Sequence, residues 1–312
     1  MNKETVCAVV VTYNRENLLI ECLEGLRKQT RPVDAIYLID NASTDGTPEL
    51  LLEKGYIKEL PPLNIVEPWE KEFEVENLVD HQSIKIHYVR MNENTGGAGG
   101  FYEGMKRAYE KGYEWFWLMD DDVKPTSNCL SELIKESKKN NVLSLLPIRK
   151  DLKGNKIDWF PYFSEILLRS FNSNSDKSNS IYFEGFLLHR HLIDKVGFPE
   201  PKFFTVLDDT EYGLRISKRE KVKYVDSAVL IRLLPNSNVH PLYKRYYFFR
   251  NLFLLSKLRK IPLLWCSIVV LFQMFFSLLK TFLLGDSKIF IFKILIKSYI
   301  DGISGKFGKA NF

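Results

Sequence analysis

The apolar run Val6-Cys7-Ala8-Val9-Val10-Val11 constrains this chain more than any other feature. An unbroken stretch of this kind suits a parallel strand covered on both faces. Leu18, Leu19, Cys22, Leu23 and Leu26 then recur at helical spacing, so the start reads as a βα unit. The signal returns at residues 36–39, which end in Asp40-Asn41 and lead through a Ser/Thr/Asp/Gly turn to a helix around Pro48 to Glu53. Residues 84–89 and 115–119 give a third and a fourth strand, followed by helices over 97–111 and 127–138. Such alternation predicts an α/β fold with a mostly parallel sheet and ligands at the carboxyl ends of its strands. Two segments break the pattern: residues 67–80 are acidic and weakly patterned, and residues 172–179 are rich in Ser and Asn. Both read as surface insertions.

The fourth strand, Trp115-Phe116-Trp117-Leu118-Met119, stops abruptly at Asp120-Asp121-Asp122. Adjacent carboxylates at the end of a buried strand are costly unless a cation or a sugar hydroxyl lies between them. A solvated acidic turn capping the helix that Pro125-Thr126-Ser127 begins fits the same residues equally well.

With 45% hydrophobic and 27% charged residues, the 312-residue chain belongs with globular proteins rather than disordered or fibrous ones. The formal charge of +5 is uneven. Lys257, Arg259, Lys260, Lys280, Lys288, Lys293, Lys297, Lys306 and Lys309 face only Asp286 and Asp301 in the last part of the chain. Cys7, Cys22, Cys129 and Cys266 are scattered, with no Cys-x-x-Cys pair, and read as buried thiols of a reducing compartment. Residues 6–11 are too short a run for a signal peptide, which places the body in the cytoplasm.

Taken together, Val9-Val10-Val11-Thr12-Tyr13-Asn14-Arg15, Asp40-Asn41-Ala42-Ser43-Thr44-Asp45-Gly46-Thr47, Asn94-Thr95-Gly96-Gly97-Ala98-Gly99-Gly100-Phe101 and Asp120-Asp121-Asp122 resemble the family 2 glycosyltransferases. The resemblance is closest to the branch with rhamnosyltransferases and galactofuranosyltransferases. It runs on in order through Gly185-Phe186-Leu187, Asp208-Asp209-Thr210-Glu211-Tyr212-Gly213-Leu214-Arg215 and Tyr246-Tyr247-Phe248-Phe249-Arg250-Asn251. It implies a GT-A nucleotide-sugar-binding sandwich over residues 1–225, with a helical, membrane-associating segment over 226–312. It also implies transfer of a sugar, with inversion, from a nucleoside diphosphate to an acceptor hydroxyl. The expected donor is UDP-galactofuranose or dTDP-rhamnose. The expected acceptor is a saccharide or a lipid-linked one, in bacterial surface polysaccharide synthesis.

By the same resemblance, Thr12, Asn14, Arg15 and Asp40 hold the base, Asn94, Gly96 and Gly97 approach the donor, and Asp120 approaches the ribose beside Asp121. Asp122 coordinates a divalent metal, and oxygen ligands suit Mn2+ or Mg2+. Asp209 is the expected general base, with Asp208 and Glu211 orienting it or binding the acceptor. Capping of a helix N-terminus by the same acids is the structural alternative. The chain departs from the family where a metal-binding His is usual, reading Arg232-Leu233-Leu234-Pro235. His240 can reach back as the ligand, Arg232 can take the cation's role at the diphosphate, or His240 is a surface residue before Pro241; the first is preferred. A catalytically decayed sugar-nucleotide scaffold is the rival suggested by Arg232. A processive synthase lacks support because no Gln-x-x-Arg-Trp motif is present. The basic residues accompany aliphatic ones, which argues against nucleic acid as a partner. A homo-oligomer is compatible with the sequence.

Residues 263–279 are apolar apart from Ser267, Gln273 and Ser277, slightly short of the ~20 residues of a spanning helix. Residues 289–300 carry Lys293 and Lys297 at helical spacing, which suits a helix lying in the interface. The expectation is a peripheral, monotopic helical pair on the inner face of the cytoplasmic membrane. A soluble helical core and a span remain as alternatives.

Overall fold

The computed structural model describes residues 4–157, 181–235, 242–259, 262–284 and 288–310. Contacts divide the chain into two compact units. The first comprises residues 1–94, 100–199 and 212–235, and the second residues 95–99, 200–211 and 236–312.

The first unit is built on a nine-stranded mixed sheet in the order β3-β4-β2-β1-β5-β8-β7-β9-β6. Its parallel centre consists of β1 (Val6–Thr12), β2 (Ala35–Asp40), β4 (Ser83–Arg90) and β5 (Trp115–Asp120). Strand β1 is buried at every position, and its side chains divide between two cores. Val6, Ala8 and Val10 pack with Leu19, Leu23 and Leu26 of α1 (Glu16–Arg27) and with Leu130 and Leu133 of α4 (Cys129–Asn140). Cys7, Val9 and Val11 pack with Phe101, Met105 and Ala108 of α3 (Gly96–Glu110). A strand covered on both sides therefore needs an unbroken apolar run. Helix α3 lies close to the sheet because of two glycines. A Cβ at Gly104 would collide with Val9, and one at Gly100 would come within 2.5 Å of Val11.

The expectation of an insertion over residues 67–80 is corrected here. Trp69–Glu76 forms β3, an edge strand paired antiparallel to β4. Its pattern is alternation, with Trp69, Phe73 and Val75 packed at the core and Glu72, Glu74 and Glu76 exposed. Acidic residues on the solvent face hide a period of two from a composition-based reading. The second expected insertion, 172–179, lies outside the described residues.

Beyond β5 the sheet is largely antiparallel. β8 (Phe186–His189) joins β5 to β7 (Ser144–Lys150), and β9 (Lys223–Arg232) runs parallel to β7 and antiparallel to β6 (Val123–Pro125). Two short helices also belong to this unit, α2 (Thr47–Glu53) and α5 (Arg190–Val196). All four cysteines are free and buried, as the scattered spacing predicts.

Helix α6 (Asp208–Ser217) begins in the second unit and continues in the first. Among the described residues the α-helices that follow are α7 (Leu242–Arg259), α8 (Leu263–Leu284) and α9 (Lys288–Ser304). Helices α7 and α9 pack tightly enough that a Cβ at Gly302 would overlap the Phe253 ring. The Tyr246 hydroxyl donates to Asp301 at 2.7 Å, and Lys297 pairs with the same carboxylate at 2.8 Å. Helix α8 leaves large apolar side chains exposed, among them Leu264 (71%), Phe272 (56%) and Phe275 (60%). Among the described residues no helix is long and apolar enough to cross a membrane.

Candidate functional site

Parallel register brings the chemistry-bearing residues of the first unit to one edge. Thr12 stands opposite Asp40, Asp40 opposite Arg90, and Val11 opposite Asp120. The loop after β1 is tied to the acidic turn after β5. The Thr12 hydroxyl donates to Asp121 at 2.8 Å, and Arg15 donates to Asp121 at 3.0 Å and to Asp122 at 3.2 Å. Asn14, in the left-handed region at φ 53, ties the same loop to the turn after β2. Its amide N–H donates to Ser43 Oγ at 3.1 Å, and its side-chain oxygen accepts from the Thr44 N–H at 2.6 Å.

Asp40 is fully buried, and three donors meet its carboxylate: the Ser43 N–H at 2.8 Å, the Tyr88 hydroxyl at 2.8 Å and Arg90 at 2.5 Å. Arg90 also donates to the Ser43 carbonyl at 2.7 Å, so this carboxylate shapes the turn that follows it. A cleft of about 380 Å³ opens there, lined by Ser43, Thr44, Asp45, Glu49 and Arg90 and by the loop over residues 60–65.

Burial pushes the Asp120 carboxyl well above its ordinary range, and the charges of Asp122, Glu184 and Asp121 push it further. Burial also raises Asp121, against the pull of Arg15 and the Thr12 hydrogen bond. Glu184 is paired with Arg149 at 2.9 Å, whose guanidinium lies 3.8 Å from the centre of the Tyr182 ring. The edge thus gathers Asp40, Asp120, Asp121, Asp122 and Glu184 beside Arg15, Arg90 and Arg149. Among the described residues no group of three His, Cys, Asp or Glu side chains is arranged to hold a metal by itself.

The second unit holds the other acidic cluster, at the first turn of α6. Asp208 is buried, and its carboxyl is pushed up to about 7 by desolvation and by the charge of Asp209. Asp209 is half-buried, and its carboxylate accepts from the Thr210 N–H at 2.6 Å. Glu211 is buried in an ion pair with Arg259. Two neighbouring carboxyls in different surroundings differ in acidity, and here burial and the charge of Asp209 hold Asp208 above the ordinary carboxyl range. In the same unit Gly96 has φ +73, and a Cβ on it would overlap the Phe204 carbonyl. A Cβ on Gly97 would meet nothing within 4 Å.

Of the sequence-predicted residues, Thr12, Asn14, Arg15, Asp40, Asp120, Asp121 and Asp122 come together in the first unit, which also contains Asn94. Gly96, Gly97, Asp208, Asp209 and Glu211 belong to the second unit. His240 lies outside the described residues. Sequence reasoning missed Tyr88 and Arg90 beside Asp40, Glu184 beside Asp120, and Arg259 on Glu211. Arg90 had a findable signal, since it ends the third parallel strand in the place where Asp40 ends the second. Glu184 and Arg259 had none in local spacing.

A model of the family described as "Glycosyl transferase family 2" matches residues 7–67 and 70–196. The chain belongs to that family. Its sequence is 29% identical over 225 residues to galactofuranosyltransferase GlfT1 of Mycolicibacterium smegmatis, covering 68% of this chain and 65% of that protein. It is 25% identical over 249 residues to dTDP-rhamnosyl transferase RfbF of Shigella flexneri, covering 73% of this chain and 82% of that protein. The solved mannosyltransferase PcManGT from Pyrobaculum calidifontis, in complex with GDP-Man and Mn2+, superposes with a TM-score of 0.57 at 16% identity. That match covers 98% of this chain and 89% of that one. The architecture of this family 2 member is therefore the GT-A fold, and the chain spans slightly less than two thirds of the length of the GlfT1 relative.

A carboxyl near 7 in the folded chain and about 3.9 unfolded binds an extra proton in the folded state. The stability that Asp208 contributes is therefore complete below about pH 4 and is lost as pH rises through about 7. Asp208→Asn is expected to flatten the fall in Tm between about pH 5 and about pH 8, and to melt above the parent at the upper end. Parallel Tm–pH curves for the two proteins would contradict the assigned environment.

Proposed function

We propose that this family 2 member is an inverting glycosyltransferase. It moves galactofuranose from UDP, or rhamnose from dTDP, to a saccharide or lipid-linked acceptor in bacterial surface polysaccharide synthesis. The observation that carries the reading is the placement of Asp208, Asp209 and Glu211 in the first turn of α6, with Asp209 the half-buried member between two buried ones, since a one-step inversion needs a base that an acceptor hydroxyl can reach. Likeness to relatives named as galactofuranosyl and rhamnosyl transferases supports the choice of donors.

In this reading Asp209 removes the proton from the acceptor hydroxyl as its oxygen attacks the anomeric carbon. The new C–O bond forms on the face opposite the old one, and the nucleoside diphosphate leaves with the electron pair. Asp208, buried behind it, orients it, and Glu211 holds the helix through Arg259. Thr12, Asn14 and Arg15 hold the nucleoside end of the donor, with Asp40 setting the turn beside it.

The acidic edge fits a hard divalent cation, Mn2+ or Mg2+. Such an ion needs only one or two carboxylates plus phosphate oxygens, and the excess negative charge around Asp120 is what it would offset. Asp122 would hold it, and the ion would supply charge neutralisation of the departing diphosphate. The proposed catalytic region is 1–225, with 226–312 as the segment that reaches the membrane. The exposed apolar residues of α8 support a peripheral, monotopic seat on the cytoplasmic face.

Asp209→Asn is expected to lower transfer roughly 10²–10⁴-fold with little change in nucleotide affinity. Near-normal turnover would remove Asp209 from the role of base. Asp122→Ala should weaken metal-dependent binding of the nucleoside diphosphate in calorimetry. Wild-type binding and activity that ignore a chelator would exclude the metal. In membranes from cells expressing the full chain, high salt or carbonate should release the protein, whereas a version ending at Arg259 should already be soluble. Release by detergent alone would favour a span, and solubility of both versions at low salt would refute anchoring by α8 and α9.

A further inference from the structure

The segment leading into the acidic cluster of the second unit has an unusual backbone. Phe204, Val206 and Leu207 adopt φ of 63, 67 and 69, in the left-handed region. For a β-branched residue such as Val206 this is a true outlier, and such conformations persist only where surroundings hold them. A chain in this conformation turns its carbonyls out of any regular ladder, so they need partners elsewhere.

Helix α7 supplies those partners. The side-chain amide of Asn251 has its nitrogen within hydrogen-bond distance of the carbonyls of Phe203 (3.0 Å), Thr205 (2.8 Å) and Val206 (2.8 Å), which share its two N–H groups. Its own oxygen accepts from Arg250 Nε at 3.0 Å and Nη at 2.7 Å, which permits only one orientation of the amide. Arg250 also donates to the Phe203 carbonyl at 3.0 Å and to the carbonyl of Gly308. Gly308 in turn donates its N–H to the Lys202 carbonyl at 2.8 Å. The Phe204 ring stacks on Tyr247 at 5.0 Å, and the Ala98 N–H donates to the Phe204 carbonyl at 3.1 Å. Asn251 and Arg250 are both buried, so solvent cannot replace what they give.

We propose that Asn251, oriented by Arg250, is a positioning residue that holds residues 203–207 in their strained path and so sets Asp208 and Asp209 for the reaction. The proposal rests on the reading that this acidic cluster serves the transfer. It assigns a role to the Arg250-Asn251 pair beyond packing. Helix α7 becomes part of the catalytic apparatus without touching the reactants.

Asn251→Asp in the full chain is the direct test. The substitution keeps size and the acceptor for Arg250 but turns an oxygen towards three carbonyls. Transfer turnover should fall roughly 10–100-fold, the scale of a small misplacement of a catalytic group, with calorimetric affinity for the nucleoside diphosphate unchanged. Amide exchange followed by mass spectrometry should accelerate over residues 203–209 and remain unaltered in the central strands. Asn251→Ser, which buries no charge, gives the same two readouts if the first variant does not fold. Unchanged exchange over 203–209 in a folded variant overturns the proposal, as does faster exchange with undiminished turnover. If Asp209→Asn keeps its turnover while Asn251→Asp loosens the segment, the catalytic reading fails and the clamp stands only as architecture.

Discussion

The hydrogen-bond register of the parallel strands is the constraint on which the first unit depends. In a parallel sheet every strand presents the same end at the same edge, so residues that terminate neighbouring strands are brought together without further contrivance. Thr12, Asp40, Arg90 and Asp120 each end a strand, and the register aligns them. A slip of one residue in β1 would exchange its two cores and move Thr12 away from Asp121 together. Core and site are in this sense one specification.

The second unit solves a different problem, that of keeping several carboxylates out of water. Asp208 does so with a carboxyl pushed up to about 7, Glu211 by pairing with Arg259, and Asp301 by sharing Tyr246 and Lys297. Each device has its own dependence on conditions. Protonation of a buried acid depends on pH, an arginine keeps its own charge throughout the usual range, and a hydroxyl donor serves either state of its partner. The group whose acidity is shifted is the one next to Asp209, and the charge of Asp209 contributes to the shift.

Much of this was legible in sequence because it is local. Apolar runs that end in Asp40 or in the triplet at 120–122 declare both a strand and the end at which its polar residues gather. The segment at 69–76 was misread because its exposed face is acidic, and composition outweighed the alternation of Trp69, Phe73 and Val75. Glu184 meets Asp120, and Arg259 meets Glu211, from distant parts of the chain, and no spacing rule reports such meetings. The glycine run was legible as a close approach, but not as one made at Gly96 by the Phe204 carbonyl and at Gly100 by Val11.

The charges on β3 have a consequence beyond pattern reading. Among the described residues β3 is the outermost strand on its side of the sheet, and no described strand meets one of its rows of backbone donors and acceptors. An open row of this kind invites addition of a further strand, from another copy or from an unfolded neighbour. Lys71, Glu72, Glu74 and Glu76 stand exposed along it. An arriving copy of the same strand would have to desolvate these charges and set like against like, so the acidic segment ends a nine-stranded sheet that would otherwise be a template for aggregation.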